Sequence, residues 1–327
     1  MQSKIITIVL VLIIIGGLAW YFNSTYIDNK TDSNQLPLPS ESSDFGNWQN
    51  QKLVYATSSS VREIWQINEK KDIKKLFTDA DEKDKIIQIS NLANESFEVL
   101  LLTTPNKQSV TGKLVLLNVL DPNPKVLQEN FAKSDIFAFS NDGQKLAYTR
   151  FSNIDENYGF TIYLENKTGQ NKNSIVRSET EILDAKFSQD NKSIAYTINT
   201  NSGGELRTVN TESKEDTLIQ SFPGKVIDSL SWASKSSWYL TFRDINGKSG
   251  KIIKIDNKKN QTEVTNFEGG IANFLTVSSK SDLIAFLVAQ YKSKIDEVTS
   301  GQVFSFIPNL NEKSAIIKGV QILGWVK

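Results

Sequence analysis

From residue 48 to the end of the chain, short apolar runs alternate with polar turns, and helical periodicity is nearly absent. Residues 136–139 are one apolar run, residues 140–143 read Ser-Asn-Asp-Gly, and residues 145–150 are a second run. Asp-Gly supplies the positive φ that a tight hairpin requires. The pattern therefore predicts a chain of short antiparallel strands.

The ten residues 140–149, SNDGQKLAYT, return at 188–197 as SQDNKSIAYT. The first hairpin is followed by a third run at residues 161–164 and, after a Lys- and Asn-rich turn, by a fourth short run. Self-similarity at this distance is the signature of a repeat architecture. The units start roughly 44–51 residues apart, which predicts four-stranded propeller blades.

Weaker copies of the unit follow the same order of runs. The predicted first strands of these copies are residues 86–89, 182–187, 227–232 and 271–277, and the second strands are 97–102, 193–197, 238–242 and 283–288. The predicted third strands are residues 64–67, 114–117, 206–209, 252–255 and 303–306.

The two ends of the repeat region complement each other. Residues 51–55 match a second strand that has no first strand before it, whereas residues 320–326 match a first strand. Pairing of the last strand with the N-terminal three strands would close a ring and remove exposed sheet edges. The predicted fold class is all-β, a six-bladed β-propeller closed by the C-terminal strand.

Residues 5–22 form an uncharged apolar run. At 1.5 Å per residue this run would cross about 27 Å, close to the hydrocarbon thickness of a bilayer. It predicts one N-terminal transmembrane helix before the propeller, with the N-terminus cytoplasmic because Lys4 precedes it. A cleaved signal peptide, with Gly17-Leu18-Ala19 as a weak cleavage site, is the alternative and would make the protein secreted.

We therefore expect a transmembrane anchor over residues 1–22, a flexible polar linker over 23–45 and the propeller over 46–327. A coil of this length has a reach of roughly 25–30 Å. The protein is then a single-pass membrane protein whose propeller is extracytoplasmic, in the periplasm or at the cell surface.

Composition excludes several kinds of chemistry. The chain of 327 residues contains no cysteine and no histidine, with 37 basic and 37 acidic side chains. Thiolate nucleophiles, imidazole bases and zinc sites built on Cys or His are therefore excluded. The zero net charge argues against nucleic-acid binding, which requires a basic excess.

Residues 139–148, FSNDGQKLAY, and 187–196, FSQDNKSIAY, resemble the WD40-like β-propeller repeat of TolB-type proteins and of the propeller domains of prolyl-oligopeptidase relatives. Residues 232–235 and 277–280 lack the Asp-Gly turn and depart from that pattern. The resemblance implies the propeller fold and leaves the function open.

In an up-and-down blade, the connection between the second and third strands lies on the same face as the links between blades. These connections, of which residues 151–159 are one, vary most along this chain. We therefore expect a binding face around the mouth of the channel. The candidate contact residues are Arg150, Asp155, Glu156, Tyr158, Arg243, Asp244 and Tyr291. Ordinary solvated loop residues are the alternative for each.

Asp135, Asp184 and Asp228 recur at strand starts near the predicted channel and are candidate channel residues. Other residues at repeated positions are expected to have structural roles. The turn residues are Ser140, Asp142, Gly143 and Asp190, and the tryptophans between blades are Trp232 and Trp325. Calcium binding by Asp142 and Asp190 is the alternative to the turn interpretation, but calcium requires six or more oxygen ligands and no dense acidic loop is present.

We expect a non-catalytic binding or scaffolding module for a protein, peptide or glycan, with no cofactor, no metal and no catalytic residue assigned. Its membrane contact would be through residues 5–22. The alternative is a carboxylate- or metal-dependent propeller enzyme, a hydrolase or lactonase, with acidic residues at the channel mouth. Carboxylate pairs for glycoside hydrolysis would stand roughly 5–10 Å apart.

Overall fold

A computed structural model describes fourteen stretches of the chain, namely residues 48–57, 63–78, 85–89, 98–104, 111–118, 121–132, 136–154, 157–245, 249–267, 270–278, 283–289, 302–308, 312–318 and 320–326. The chain divides into Met1–Leu36 and Pro37–Lys327, and every described residue belongs to the second unit. The predicted anchor and linker lie outside the described residues. Among the residues that are described, no helix is long and apolar enough to cross a membrane.

The described part of the chain consists of β-strands and turns, without an α-helix. The strands of the N-terminal half are β1 (Lys52–Thr57), β2 (Glu63–Asn68), β3 (Ile73–Thr78), β4 (Lys85–Ile89), β5 (Glu98–Thr104), β6 (Thr111–Asn118), β7 (Asp121–Ala132), β8 (Phe137–Phe139), β9 (Lys145–Ile154), β10 (Asn157–Asn166), β11 (Asn173–Ser178) and β12 (Ile182–Phe187). The remaining strands are β13 (Ser193–Thr200), β14 (Gly203–Asn210), β15 (Asp216–Pro223), β16 (Lys225–Ser234), β17 (Ser237–Asp244), β18 (Gly250–Asp256), β19 (Gln261–Phe267), β20 (Ile271–Val277), β21 (Ile284–Ala289), β22 (Gln302–Ile307), β23 (Glu312–Lys318) and β24 (Val320–Val326).

These strands form four-stranded antiparallel sheets in which neighbours in sequence are neighbours in space. The first sheet has the order β24-β1-β2-β3, the second is β4 to β7, the third β8 to β11, the fourth β12 to β15, the fifth β16 to β19 and the sixth β20 to β23. The alternating runs and polar turns of the sequence specify such meanders because each turn can join only adjacent strands.

The C-terminal strand completes the first sheet. β24 runs antiparallel to β1, with Lys52 opposite Val326 and Thr57 opposite Val320. Side chains of the first and sixth sheets share one buried cluster that includes Tyr55, Leu287 and Ile322. The prediction that residues 320–326 pair with the N-terminal strands is confirmed.

The hydrophobic core lies between the sheets. One buried cluster joins the third and fourth sheets, a second joins the fourth and fifth, a third joins the fifth and sixth, and a fourth joins the sixth and first. Five sheets therefore pack in series as propeller blades, because each of the four junctions between them buries side chains from both neighbours. The fold is an all-β propeller.

The structure shows five of the six predicted blades. The second sheet has the strand order of a blade, but most of its side chains lie outside the described residues. It also pairs less regularly, since the register between β6 and β7 shifts in three places. The sequence of this unit is a degraded copy of the repeat.

A β-bulge recurs between the third and fourth strands of the five blades. The register shifts once in each pair, directly after Ile64, Ile162, Leu206, Ile252 and Val303. A bulge increases the local twist of a sheet. The repetition of this bulge gives the blades a common twist, which lets neighbouring faces fit together.

One expected loop is a hairpin instead. Residues 151–159 are predicted as a variable connection, whereas β9 continues to Ile154 and β10 begins at Asn157. Phe151 pairs with Phe160 and Asn153 with Tyr158 in this extension. Cross-strand aromatic contacts stabilise the added pairs, so the strands extend beyond the blade's ordinary length.

Candidate functional site

The strand order of a blade defines two faces. The loop face carries the second-to-third connections and the links between blades, and its described residues are 151–154, 157–159, 179–181, 200–203, 223–225, 243–245 and 249–250. The turn face carries the first-to-second and third-to-fourth connections, and its described residues are 48–51, 68–72, 140–145, 166–172, 188–193, 210–215, 234–237 and 256–260. Antiparallel strands place these two sets at opposite ends of the blades.

Four candidate residues, Asp135, Asp155, Glu156 and Tyr291, lie outside the described residues. The remaining candidates are on β9, β10, β12, β16 and β17. The structure brings some of them together and separates others.

The β9–β10 hairpin carries exposed aromatic rings on the loop face. Tyr158 is 67% exposed and Phe151 is 52% exposed. Their rings stack with centroids 5.8 Å apart, and Phe151 also contacts the ring of Phe160 at 4.9 Å. Exposed aromatic rings of this size are typical anchors of binding surfaces. The sequence predicts Tyr158 as a contact residue but not Phe151, which the alternating pattern of a longer strand would indicate.

Arg150 lies on the opposite side of the same hairpin. Residues next to each other on a strand point to opposite faces, so Arg150 and Phe151 diverge. The Arg150 guanidinium carbon lies 5.9 Å from the centroid of the Tyr148 ring, and Arg150 pairs across the sheet with Thr161. The structure therefore separates Arg150 from the aromatic rings.

Asp228 and Arg243, predicted separately, form one ion pair. Arg243 Nε lies 3.1 Å from Asp228 Oδ2, and the two side chains are 11% and 6% exposed. The register between β16 and β17 shifts between Ile227 and Ser229, so Asp228 occupies a bulge. Arg243 Nη1 also donates to the Ile245 carbonyl at 3.2 Å, which holds the guanidinium at the end of its strand.

Burial dominates the protonation of Asp228. It raises the pKa of this carboxyl from 3.8 to about 6, even though the Arg243 charge and hydrogen bond act to lower it. A carboxyl group with such a pKa can exchange protons near neutral pH. The ion pair is thus the most perturbed carboxylate environment among the described loop-face residues.

Asp244 lies beside this pair but is exposed. Lys225 Nζ is 2.5 Å from Asp244 Oδ1, and the two side chains are 38% and 71% exposed. Ion pairs this open to water contribute little to stability. Asp244 and Lys225 are therefore available for contacts with a partner.

Asp184 acts between blades. Its Oδ2 accepts hydrogen bonds from the Leu230 backbone N–H at 3.0 Å and from Ser229 Oγ at 3.1 Å, both on the next sheet. Its Oδ1 lies 3.1 Å from Lys186 Nζ. These bonds use both carboxylate oxygens, so Asp184 ties β12 to β16 and differs in environment from Asp228.

The repeated Asp turns have matching hydrogen bonds. Ser140 Oγ donates to Asp142 at 2.6 Å, and Ser188 Oγ donates to Asp190 at 2.8 Å. The turns then place Gly143 and Asn191 at positive φ, 66° and 59°. Asn is among the few residues other than glycine that adopt this conformation readily, so the two turns share one geometry.

The repeated tryptophans lie within the packing of the blades. Trp232 is 8% exposed, and its Nε1 donates to the Lys186 carbonyl of the preceding sheet at 2.9 Å. Trp325 meets the Trp48 ring edge-on at a centroid distance of 5.1 Å. Their rings contribute contact area between elements that are far apart in sequence.

Among the described residues, no group of three or more Asp or Glu side chains is arranged to hold a metal ion. The described loop face therefore offers an exposed aromatic pair, a buried ion pair and an exposed ion pair. This combination fits recognition of a surface, with apolar anchors beside polar groups.

No family model and no curated protein matches this chain. Among solved structures, TolB from Acinetobacter baumannii is similar, with a TM-score of 0.62 and 11% sequence identity. The similarity covers 84% of this chain and 66% of the TolB chain, so this chain spans just under two thirds of the length of TolB. A nidogen/laminin complex is similar with a TM-score of 0.56 at 8% identity, over 84% and 97%. Oligogalacturonate lyase from Vibrio parahaemolyticus has a TM-score of 0.53 at 10% identity, over 82% and 79%.

Identities this low show the fold alone, because unrelated functions share the propeller scaffold. The class is a β-propeller, and its architecture is TolB-like.

Proposed function

We propose that this protein is a membrane-anchored, extracytoplasmic and non-catalytic binding module whose loop face recognises a protein or peptide. The observation that carries the proposal is the exposed stack of Phe151 and Tyr158 on the β9–β10 hairpin. Stacked rings present a rigid apolar surface that loses little conformational entropy on binding. The exposed side chain of Ile245 adds apolar surface on the same face.

A protein partner is favoured over a glycan for two reasons. The exposed Lys225–Asp244 pair stands on the same face and offers charges of both signs, which suit the mixed polar rim of protein interfaces. The structure of a nidogen/laminin complex also contains a chain with a similar fold.

We also propose that the second sheet completes the ring as a sixth blade. Its β4 to β7 order is that of the other blades, and its place in the sequence is between β3 of the first sheet and β8 of the third. Pairing of β24 with β1 already joins the two ends of the chain. A closed ring would hold the loops of all blades around one channel mouth.

The membrane location rests on the sequence of residues 5–22. An uncharged run of this length is typical of a transmembrane helix. The polar linker over residues 23–45 would then separate the propeller from the bilayer.

A second candidate is an enzyme that uses Asp228 as a general acid or base. Its raised pKa, about 6, is the observation that favours this candidate. The ion pair with Arg243 and the low exposure of the carboxyl leave little room for a substrate at that oxygen. Binding is therefore the better supported function.

The binding proposal is tested by site-specific photo-crosslinking in the full-length, membrane-inserted protein. A benzophenone amino acid replaces Phe151 or Tyr158, and the matched control replaces Leu218, an exposed apolar residue on the outer strand β15. We expect the same protein adduct from positions 151 and 158, with none from 218.

The double variant Phe151→Ala/Tyr158→Ala should abolish recovery of that partner by the full-length protein, whereas Leu218→Ala should retain it. Equal adducts at all three positions, or full recovery by the double variant, would contradict the loop-face assignment.

A further inference from the structure

The chain joins the propeller on the turn face. The backbone N–H of Trp48, the first described residue, donates to Glu69 Oε2 in the β2–β3 turn at 2.7 Å. Gln51 is hydrogen-bonded to Ser278 at the end of β20. Residues 1–47, which include the apolar run over 5–22, precede this point. The described chain therefore begins on the turn face, opposite the loop face.

Exposed lysines lie at the tips of the turns on this face. They come from the first, third, fourth and fifth sheets and are Lys70, Lys172, Lys192, Lys214, Lys235, Lys258 and Lys259. A lysine side chain can extend its ammonium group well beyond the backbone that carries it. The turn-face residues named above carry ten lysines and seven carboxylates, a net charge of +3.

Most of the carboxylates on the same turns are held close to the backbone. Asp190 accepts the Ser188 hydroxyl, and Asp256 accepts the Asn260 amide, and these bonds lower the pKa of both carboxyl groups. Both groups are therefore ionised at neutral pH and offset part of the lysine charge. The exposed carboxylates of these turns are Asp72, Asp142, Asp190, Glu212 and Glu215.

Three of the turns keep a lysine where glycine would be less strained. Lys71, Lys214 and Lys259 have φ values of 67°, 60° and 67°, whereas the corresponding turn of the third sheet has Gly169 at 78°. Non-glycine residues are disfavoured in this region. A strained residue that recurs on one face suggests a role for its side chain other than stability.

The described turn face carries no large exposed apolar side chain. The large exposed apolar residues of the described chain are Val126, Phe151, Tyr158, Leu218 and Ile245, which lie on outer strands or on the loop face. Contact through the turn face would therefore be electrostatic, without insertion of apolar side chains, and would weaken with salt.

We propose that the turn face docks on the anionic phosphate headgroups of the membrane in which the N-terminal segment is anchored. This inference rests on the proposed anchor and assigns a second, separate surface to the propeller. Docking would orient the loop face away from the bilayer, toward its partner. Lysines near an anionic membrane each strengthen the attraction, and a tether raises the effective concentration of the face at the surface.

The absence of cysteine allows single, unique fluorescent labels. Full-length protein labelled at Ser236→Cys on the turn face, or at Ser202→Cys on the loop face, is reconstituted into vesicles with acceptor-labelled lipid. One set of vesicles is phosphatidylcholine alone, and the other contains phosphatidylglycerol as well. We expect energy transfer from position 236 to rise with phosphatidylglycerol, while transfer from position 202 stays low.

The gain at position 236 should disappear in about 1 M NaCl, where the Debye length is about 3 Å. The variant Lys235→Gln/Lys258→Gln/Lys259→Gln should reduce the ratio of docked to undocked protein roughly 100-fold, at roughly fivefold per lysine. The matched control is Lys125→Gln/Lys225→Gln/Lys251→Gln, which removes equal charge away from the turn face and should leave the ratio unchanged. Circular dichroism verifies that both variants are folded.

The outcomes separate the two proposals. Failure of the protein to float with phosphatidylcholine vesicles would overturn the anchor. Flotation with equal transfer from position 236 in both kinds of vesicle would overturn docking by the turn face and leave the anchor intact. Equal losses in the two triple variants would show a non-specific charge effect and would also overturn the docking proposal.

Discussion

Asp228 is the residue whose environment departs most from that of a surface carboxylate. Its pKa is raised by burial to about 6 in the folded protein, against an ordinary value of 3.8. Between these two pH values the folded state binds the proton more tightly than the unfolded state. The contribution of this group to stability is therefore largest below about pH 4 and falls as the pH rises through 6.

The variant Asp228→Asn tests this sign. The free energy of unfolding of the wild type minus that of the variant should decrease between pH 4 and pH 7 by up to about 3 kcal/mol, since one pKa unit corresponds to about 1.4 kcal/mol. Urea unfolding at several pH values measures the difference. Asp244→Asn, which removes an exposed carboxylate from the same face, is the control. A pH-independent difference for Asp228→Asn would disprove the raised pKa.

At the scale of elements, polar side chains connect the innermost strands of neighbouring blades. Asp184 on β12 accepts the Leu230 N–H of β16, and Ser229 on β16 accepts the Leu275 N–H of β20 at 3.2 Å. Thr241 Oγ1, on the second strand β17 of the fifth sheet, donates to the Ala272 carbonyl of β20 at this same junction at 2.8 Å. Bulges in β12, β16 and β20 interrupt the ladder near these residues, so side chains satisfy groups that the ladder leaves open.

Asp184→Ala should destabilise the propeller by roughly 2–3 kcal/mol, because it leaves the Leu230 N–H and the Ser229 hydroxyl without their acceptor. Asp184→Asn keeps one acceptor oxygen and should lose less. The free energy of unfolding in urea at pH 7 measures both. Equal stability of the alanine variant and the wild type would show that these bonds do not hold the junction between β12 and β16.

At the scale of the whole molecule, the first and last strands of the propeller, β1 and β24, depend on each other for their stability. Val320, Ile322 and Leu323 of β24 are each 1% exposed or less. Burying side chains of this size contributes roughly 1.5–3 kcal/mol apiece, and the sum approaches the 5–15 kcal/mol that stabilises a typical domain. The first sheet therefore stabilises the propeller only when β24 is paired with β1.

Deletion of residues 320–327 should abolish cooperative unfolding and make the chain sensitive to limited proteolysis. A permuted chain with residues 320–326 placed directly before Trp48 should recover both properties, because β24 then joins β1 by a hairpin. Tryptophan fluorescence and proteolysis follow the outcome. A deletion variant as stable as the full chain would refute the structural role of β24.

The local pattern of this sequence was enough to determine the strands, the turns and the closing pair of ends. The predicted strands over residues 182–187 and 271–277 coincide with β12 and β20, because alternation and turn chemistry act between near neighbours. The Ser-Asp turns are equally local. The resemblance to a TolB-type propeller rests on the same residues.

Tertiary structure alone decided which side chains meet. Asp228 and Arg243 come together because a bulge re-aims one strand end toward its neighbour, and Asp184 finds its partners on another blade. The stacking of Phe151 on Tyr158 depends on a hairpin that runs longer than the repeat predicts. Such pairings follow from burial and packing between sheets, which the order of residues along one strand does not contain.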